Sequence, residues 1–237
     1  MKALLGFKVF DGSVEDIDLS TNRIINTINP HSYCMTKKDE EFKQVLKNSD
    51  ILLPDGIGIV WASKMLHKQS IKKIAGFDIF LFLMKHLNAT GGSCFFLGAS
   101  QATLALIKAK TAREFPNVTV NTYSPPYKKI FSKEDNNLMI KNVNAHTPNV
   151  LFVGMTAPKQ EKWAYEHKVV LKADIICSIG AVFDFYAGTV KRPSAFWINL
   201  GLEWLPRFLK EPKRLAERNL VSTPKFVFEV IRHKIKG

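Results

Sequence analysis

Short apolar runs alternate along this chain with longer stretches whose apolar positions recur at roughly helical spacing, the pattern of a parallel sheet with crossover helices. Strands are predicted over Arg23–Ile28, Ile51–Leu53, Ser93–Leu97, Val118–Tyr123, Val150–Val153 and Ile175–Ser178,. Helices are predicted near 39–48, 57–67, 77–89, 100–114, 133–145 and 158–170. Gly or Pro punctuates several strand ends: Pro54-Asp55-Gly56, Gly98-Ala99-Ser100, Gly154 and Gly180. Ligands of open α/β sheets bind at the carboxyl ends of strands, where these turns fall. No internal repeat or low-complexity segment interrupts the pattern.

After Asp184 the pattern changes. Residues 200–218 place Leu202, Leu205, Phe208, Leu209 and Leu215 among Arg207, Lys210, Lys213, Arg214 and Arg218. Pro206 and Pro212 are expected to break this stretch into short helices, and Pro224 precedes a second amphipathic run, Lys225 to Lys236. Trp197, Trp204 and Phe226 supply aromatic anchors. The chain therefore divides, as an expectation, into an α/β domain over 1–190 and an appendage over 191–237.

Charge sharpens this division. The net charge is +13, but from Lys191 onward eleven Lys/Arg face four Glu, so a net +7 falls on the last fifth of the chain. A basic, partly apolar tail invites a polyanionic partner: anionic lipid, a phosphorylated substrate or nucleic acid. The three cysteines (Cys34, Cys94, Cys177) are far apart with no CxxC pair, which points to a reducing cytoplasm,. The first residues make a poor signal peptide. No run approaches the length of a membrane span; the densest, Ile79–Met84, is flanked by Asp78 and Lys85,.

Several familiar chemistries are missing. There is no GxxxxGK[ST] loop, and Gly56-Ile57-Gly58-Ile59-Val60-Trp61 starts like a dinucleotide fingerprint but puts Trp61 where the third Gly is needed,. No HExxH or CxxC spacing and no GxSxG elbow occurs. Asp16-Ile17-Asp18 has a spacing that can hold a metal, yet a solvated loop explains it better, and neither metal nor cofactor is expected.

The remaining candidates sit at strand ends. Asp55 opens the turn after Ile51–Pro54; it could take a proton from an attacking hydroxyl, or cap the following helix. Thr27 and Asn29, two residues apart, point the same way and could orient a sugar or a neighbouring carboxylate, or cap the turn at Pro30. Val153 through Trp163 reads as strand, glycine turn and helix start, with Pro158 suited to a first turn. Free N–H groups there suit a diphosphate, with Lys159 and Gln160 as further donors, or else Lys159 and Lys162 form merely a solvated helix face. Asp184, amid apolar residues after a buried strand, needs a ligand or a partner such as Lys191 or Arg192.

These pieces together resemble the WecG/TagA/CpsF family of bacterial glycosyltransferases. The resemblance rests on Asn26-Thr27-Ile28-Asn29, Pro54 through Gly58, Gly76-Phe77-Asp78, Phe96-Leu97-Gly98-Ala99, Pro125-Pro126-Tyr127, Gly154 through Trp163, Gly180 through Gly188, Gly201-Leu202-Glu203-Trp204 and Glu211-Pro212-Lys213-Arg214. They occur in order over nearly the whole chain. The resemblance implies a Rossmann-like parallel sheet with flanking helices and a basic helical appendage. It implies an inverting, metal-independent transfer from a UDP-linked N-acetylmannosamine-type donor to a polyprenyl-diphosphate-linked N-acetylglucosamine, in cell-surface polysaccharide synthesis. Asp55 would be the general base beside Thr27 and Asn29; Gly98, Gly154, Lys159, Gln160 and Asp184 would serve the donor. Arg207, Arg214 and Arg218 of the tail would meet the diphosphate and the membrane. Where family members often carry Arg, this chain has Lys73, which keeps the charge without the bidentate fork,. The expected setting is cytoplasmic, peripheral to the inner face of the cell membrane, with no nucleic-acid partner and with self-association as one way to bury the apolar tail face. The rival readings are a non-catalytic basic membrane- or nucleic-acid-binding module and another nucleotide-sugar enzyme such as an NAD-dependent epimerase.

Overall fold

All six predicted strands form, and they lie side by side in one parallel sheet. The computed structural model describes residues 1–19, 21–199 and 202–236, and gives backbone but no side-chain placement for Lys2, Ala195, Asn199, Arg207, Arg214 and Lys236. A hairpin comes first, β1 (Lys2–Leu4) with β2 (Phe7–Val9), turning through Leu5 and Gly6, both at positive φ. Two such residues match the twist of a two-residue hairpin turn. Three-residue strands give too little alternation to be read from sequence, and the hairpin was not predicted.

The main sheet follows: β3 (Arg23–Ile28), β4 (Ile51–Pro54), β5 (Ser93–Gly98), β6 (Thr119–Tyr123), β7 (Val150–Gly154) and β8 (Ile175–Ser178), in the order β4-β3-β8-β7-β5-β6. Between the strands run α1 (Pro30–Thr36), α2 (Glu40–Lys47), α3 (Ile57–His67), α4 (Gly76–Thr90), α5 (Gln101–Glu114), α6 (Lys133–Asn144), α7 (Lys159–His167) and α8 (Val182–Ala187). Helix α1 was read as a turn at Pro30; Pro30 is instead its first residue, and Asn29 is its cap, a placement where proline loses no hydrogen bond.

Side-chain alternation divides the core between two faces. Ile25, Leu53, Cys177, Phe152 and Phe96 face α4, α5 and α8. Ile24, Ile176, Leu151 and Val153 face α6 and α7, while Ile28 and Leu52 meet α1, α2 and α3. Crossovers toward the β4 edge keep their helices on this second face and the β5–β6 crossover uses the first, as right-handed connections require. All the strands' carboxyl ends, from Asn29 and Asp55 to Gly98, Gly154 and Gly180, therefore come to one edge.

The tail comprises α9 (Ala195–Asn199), α10 (Trp204–Lys210), α11 (Pro212–Ala216), a π-helical turn over Glu217–Ser222 and α12 (Thr223–Lys236). Pro212 opens α11, but Pro206 lies inside α10; in a first helical turn its missing N–H costs nothing. Phe226 and Val230 of α12 are wholly buried in the core of Tyr33, Ile59 and Ala62. The Phe226 ring meets Tyr33 edge-on with centroids 5.2 Å apart. Burying one such aromatic contributes roughly 1.5–3 kcal/mol. Among the described residues no helix is long and apolar enough to cross a membrane.

Candidate active site

Asp55 stands one residue beyond β4, and its backbone N–H donates to Ile28 O (2.9 Å). It does not cap α3: Gly56 occupies that position, at φ +90, without a side-chain bond. The Asp55 side chain is instead hydrogen-bonded by Asn29. Asn29 thus serves both roles open to it, since its Oδ1 also accepts from the His31 and Ser32 N–H groups (3.0 Å each) to start α1. Thr27, paired with Leu53 across the β3–β4 ladder, is half-buried one step below.

Burial pushes the Asp55 carboxyl above its ordinary value. Arg218 opposes this most strongly, Glu203 reinforces it, and the Asn29 bond and Lys73 oppose it further,. Lys73 Nζ lies 3.5 Å from Glu203 Oε2. The loop carrying Lys73 is held against the Asp55 turn by Ile74 N–H donating to Pro54 O (3.0 Å). Glu203 had no role assigned from sequence; its signal was only its place in the Gly201-Leu202-Glu203-Trp204 motif, and Gly201 lies outside the described residues. The side chains of Arg207 and Arg214 also lie outside the described set. Arg218 belongs to the π-helical turn, which His31 and Cys34 of α1 secure: His31 Nδ1 is 2.9 Å from Ser222 Oγ, and Cys34 Sγ donates to Ser222 O (3.2 Å).

A second group of predicted residues gathers at β7 and β8. Gln160 is buried; its Oε1 accepts from Met155 N–H (3.1 Å) and its Nε2 donates to Glu161 Oε1 (2.8 Å). Pro158 takes the N-cap position, one residue before the helical position expected for it. Lys159 turns away from this turn: Nζ donates to Lys128 O (2.8 Å) and lies 4.4 Å from the Phe131 ring centroid. Gly154 admits the Phe183 ring against its backbone; a Cβ there would meet it at 2.5 Å. Gly98, at φ +127, approaches Gly154 so closely that a Cβ would lie 2.2 Å from the Gly154 carbonyl oxygen. Asp184 Oδ1 accepts from Thr189 Oγ1 (3.4 Å). Arg192, one partner proposed for Asp184, stacks on Phe77 at 4.1 Å and lies 3.7 Å from Asp78.

The Asp16-Ile17-Asp18 carboxylates separate. Asp16 accepts from Ser13 N–H and Oγ (2.8 Å each), Asp18 pairs with Arg23, and Ile17 between them is buried.

A carboxylate raised by burial and faced by cations, at the ligand edge of a parallel sheet, can take up a proton beside an anionic group. Such a site suits an enzyme that binds an anionic ligand, and comparison with known proteins identifies the class as glycosyltransferase. The chain belongs to the WecG/TagA/CpsF family of glycosyl transferases, whose family model matches residues 8–237. It is similar to an N-acetylglucosaminyldiphosphoundecaprenol N-acetyl-beta-D-mannosaminyltransferase of Bacillus spizizenii, with 31% identity over 218 residues, 92% of this chain and 82% of that protein. The Bacillus subtilis protein of the same name is 30% identical over the same shares. One from Staphylococcus aureus strain MW2 is 24% identical over 92% of this chain and 83% of its own length.

Proposed function

We propose that the protein transfers an N-acetylmannosamine-type sugar from UDP to a polyprenyl-diphosphate-linked N-acetylglucosamine, with inversion and without a metal ion. The observation that carries this reading is Asp55: a carboxyl held by Asn29, made more basic by burial, and faced by Arg218 and Lys73. The acceptor hydroxyl attacks the sugar's anomeric carbon on the face opposite UDP. Its C–O bond forms as the bond to UDP breaks, and its proton passes to Asp55. Negative charge developing on UDP is met by Arg218 and Lys73 and by the N-terminal end of α7. Thr27 flanks the base. Asp55 and Gln160 stand at the ends of strands three positions apart, roughly 14 Å at sheet spacing, room for a sugar diphosphate between them. On this reading Gly98, Gly154, Lys159, Gln160 and Asp184 form the donor side, and Arg207 and Arg214 join Arg218 at the diphosphate or the membrane.

The tail is proposed to rest on the inner membrane surface. Its exposed Phe196, Leu209, Phe228 and Ile235 lie among basic residues, a composition suited to anionic lipid.

The test is UDP release from UDP-N-acetylmannosamine, with and without lipid-linked N-acetylglucosamine, in EDTA. Acceptor-dependent release is expected, and Asp55→Asn should lower it about 10²–10⁴-fold with UDP binding retained. Full activity of Asp55→Asn would remove Asp55 from the base role. Activity abolished by EDTA would overturn the metal-free mechanism, and failure to bind UDP would overturn the donor assignment.

A further inference from the structure

Among the described residues three buried oxygen atoms, one on α7 and two on the sheet face it covers, have no hydrogen-bond partner: Glu161 Oε2, Asn26 Oδ1 and Ser178 Oγ. Their residues are 4%, 0% and 1% exposed. Strand pairing runs Ile25↔Cys177, so Asn26 and Ser178 come next to one another on neighbouring strands. By alternation they share the face of Ile24 and Ile176, which Trp163 and Ala164 of α7 cover,.

The hydrogens available around these oxygens are few. Asn26 Nδ2 donates to Ser49 Oγ (2.9 Å), and Ser49 Oγ donates onward to Val45 O (3.1 Å). That leaves Asn26 Oδ1 an acceptor in want of a donor. Ser178 has one hydroxyl hydrogen to give. An ionised Glu161 would add a buried charge and another acceptor, met only by the Gln160 amide and by its own backbone N–H. A protonated Glu161 adds the second hydrogen. Unmade hydrogen bonds in such a place are costly, and an unpaired buried charge more so.

We propose that Glu161 in its neutral form locks the orientation of the Gln160 carboxamide, making it a positioning residue for the nucleotide-sugar donor. This inference rests on the donor site proposed above. Glu161 Oε1 accepts from Gln160 Nε2, which leaves the Gln160 oxygen to accept from Met155 N–H. The same carboxamide backs Gly180, where a Cβ would come within 3.2 Å of its oxygen. One side chain therefore braces both glycine turns of the donor side, and Glu161 decides which way round it sits.

Burial raises the Glu161 carboxyl to about 7, and among the described residues no charged group contributes to the rise. The charged groups on the elements packed on α7 are engaged elsewhere. Asp39, the cap of α2, and Glu41 hold Lys162, Glu40 holds Lys43, Arg23 of β3 pairs with Asp18, and Lys168 pairs with Asp50, while Lys47 of α2 is exposed to solvent. Strands β7 and β8 carry no charged side chain, and Cys177 faces the opposite side of the sheet. His167 lies at the far end of α7, its own ionisation suppressed mainly by burial. The sign follows: a carboxyl raised on folding gives stability that is whole below the unfolded value, near 4.5, and is lost as pH rises through about 7,.

The experiment measures UDP affinity and folding stability of the full chain from about pH 4 to about pH 8.5, for wild type, Glu161→Gln and Glu161→Ala. Glu161→Gln keeps both a donor and an acceptor and should preserve UDP affinity while flattening its pH dependence. Taking wild type against Glu161→Gln cancels the titration of UDP itself. Glu161→Ala, which strands the Gln160 amide, should weaken UDP about tenfold at every pH. Glu161→Gln binding as poorly as Glu161→Ala, or wild type and Glu161→Gln showing the same pH dependence, would overturn the proposal. If wild type binds no UDP at any pH, the donor reading fails instead. The stability curves then still decide the proton: wild type must lose ground to Glu161→Gln as pH rises, and parallel curves count against it.

Discussion

Lys73 and Glu203 meet at 3.5 Å, joining the loop before α4 to the turn that leads into α10, beside Asp55. Lysine reaches as a point charge where an arginine would form a fork, and here it is matched by a carboxylate that the tail brings. The pair places opposing influences on the proposed base: Glu203 raises the Asp55 carboxyl and Lys73 lowers it.

That arrangement sets the acid limb of the pH–rate profile. A general base works only when ionised, so kcat/KM should fall as pH drops through the elevated Asp55 value. Glu203→Gln removes a raising charge and should move the acid limb to lower pH. Arg218→Gln removes a lowering charge and should move it to higher pH. Profiles of kcat/KM for the two variants test this, and shifts in the same direction would contradict it.

Phe226→Ala should cost about 3–5 kcal/mol of stability, because the ring is wholly buried and stacked on Tyr33. Urea denaturation would show it as a lower midpoint. For the same reason, removing 191–237 would uncover Tyr33 and Ile59, so the tail's membrane role is better probed by surface substitutions.

Such substitutions are Leu209→Ser, Phe228→Ser and Ile235→Ser together, at side chains 72%, 66% and 80% exposed. Binding to vesicles containing anionic lipid should weaken, while UDP affinity in solution stays as it was. Raised salt should weaken wild-type vesicle binding as well, since each Lys or Arg near the surface contributes about 1 kcal/mol of screened attraction. Vesicle cosedimentation separates the two contributions.

Two glycines at positive φ should answer differently to alanine. Gly98→Ala drives a methyl to within 2.2 Å of the Gly154 oxygen and should cost more than about 3 kcal/mol. Gly91, at φ +70 with nothing within 4 Å, should lose only about 1 kcal/mol. Thermal melts of the pair compare the two directly, and equal losses would show that backbone conformation outweighs crowding at Gly98.

The strands of the main sheet were legible because β4, β5 and β7 are apolar runs closed by Gly, Pro or Asp and the others are short and rich in β-branched residues, and the ends fell within a residue of prediction. The β1–β2 hairpin and α1 were not. The hairpin is too short for alternation to emerge, and the Pro30 that suggested a turn opens a helix. At the site, Asp55, Asn29 and Gln160 stood out because polar residues follow buried strands. What periodicity could not supply was which partner each would find. Glu203 and Arg218 are distant in sequence and reach Asp55 only because α12 anchors the tail. Glu161 carried no signal of its own in the sequence, and its neighbour Lys162 is turned outward to Asp39 and Glu41.

The burial of Phe226 and Val230 also changes what kind of object the tail is. The stretch 191–222 leaves the body after α8 and is pinned again at α12, so it is a strap buckled at both ends and not a free arm. Much of the entropy of closing that loop is lost once, at folding, and uncovering Asp55 requires slack within the strap, with no need to release its far end. A single proteolytic nick in the strap would therefore leave two fragments that stay together, the smaller one still seated on Tyr33.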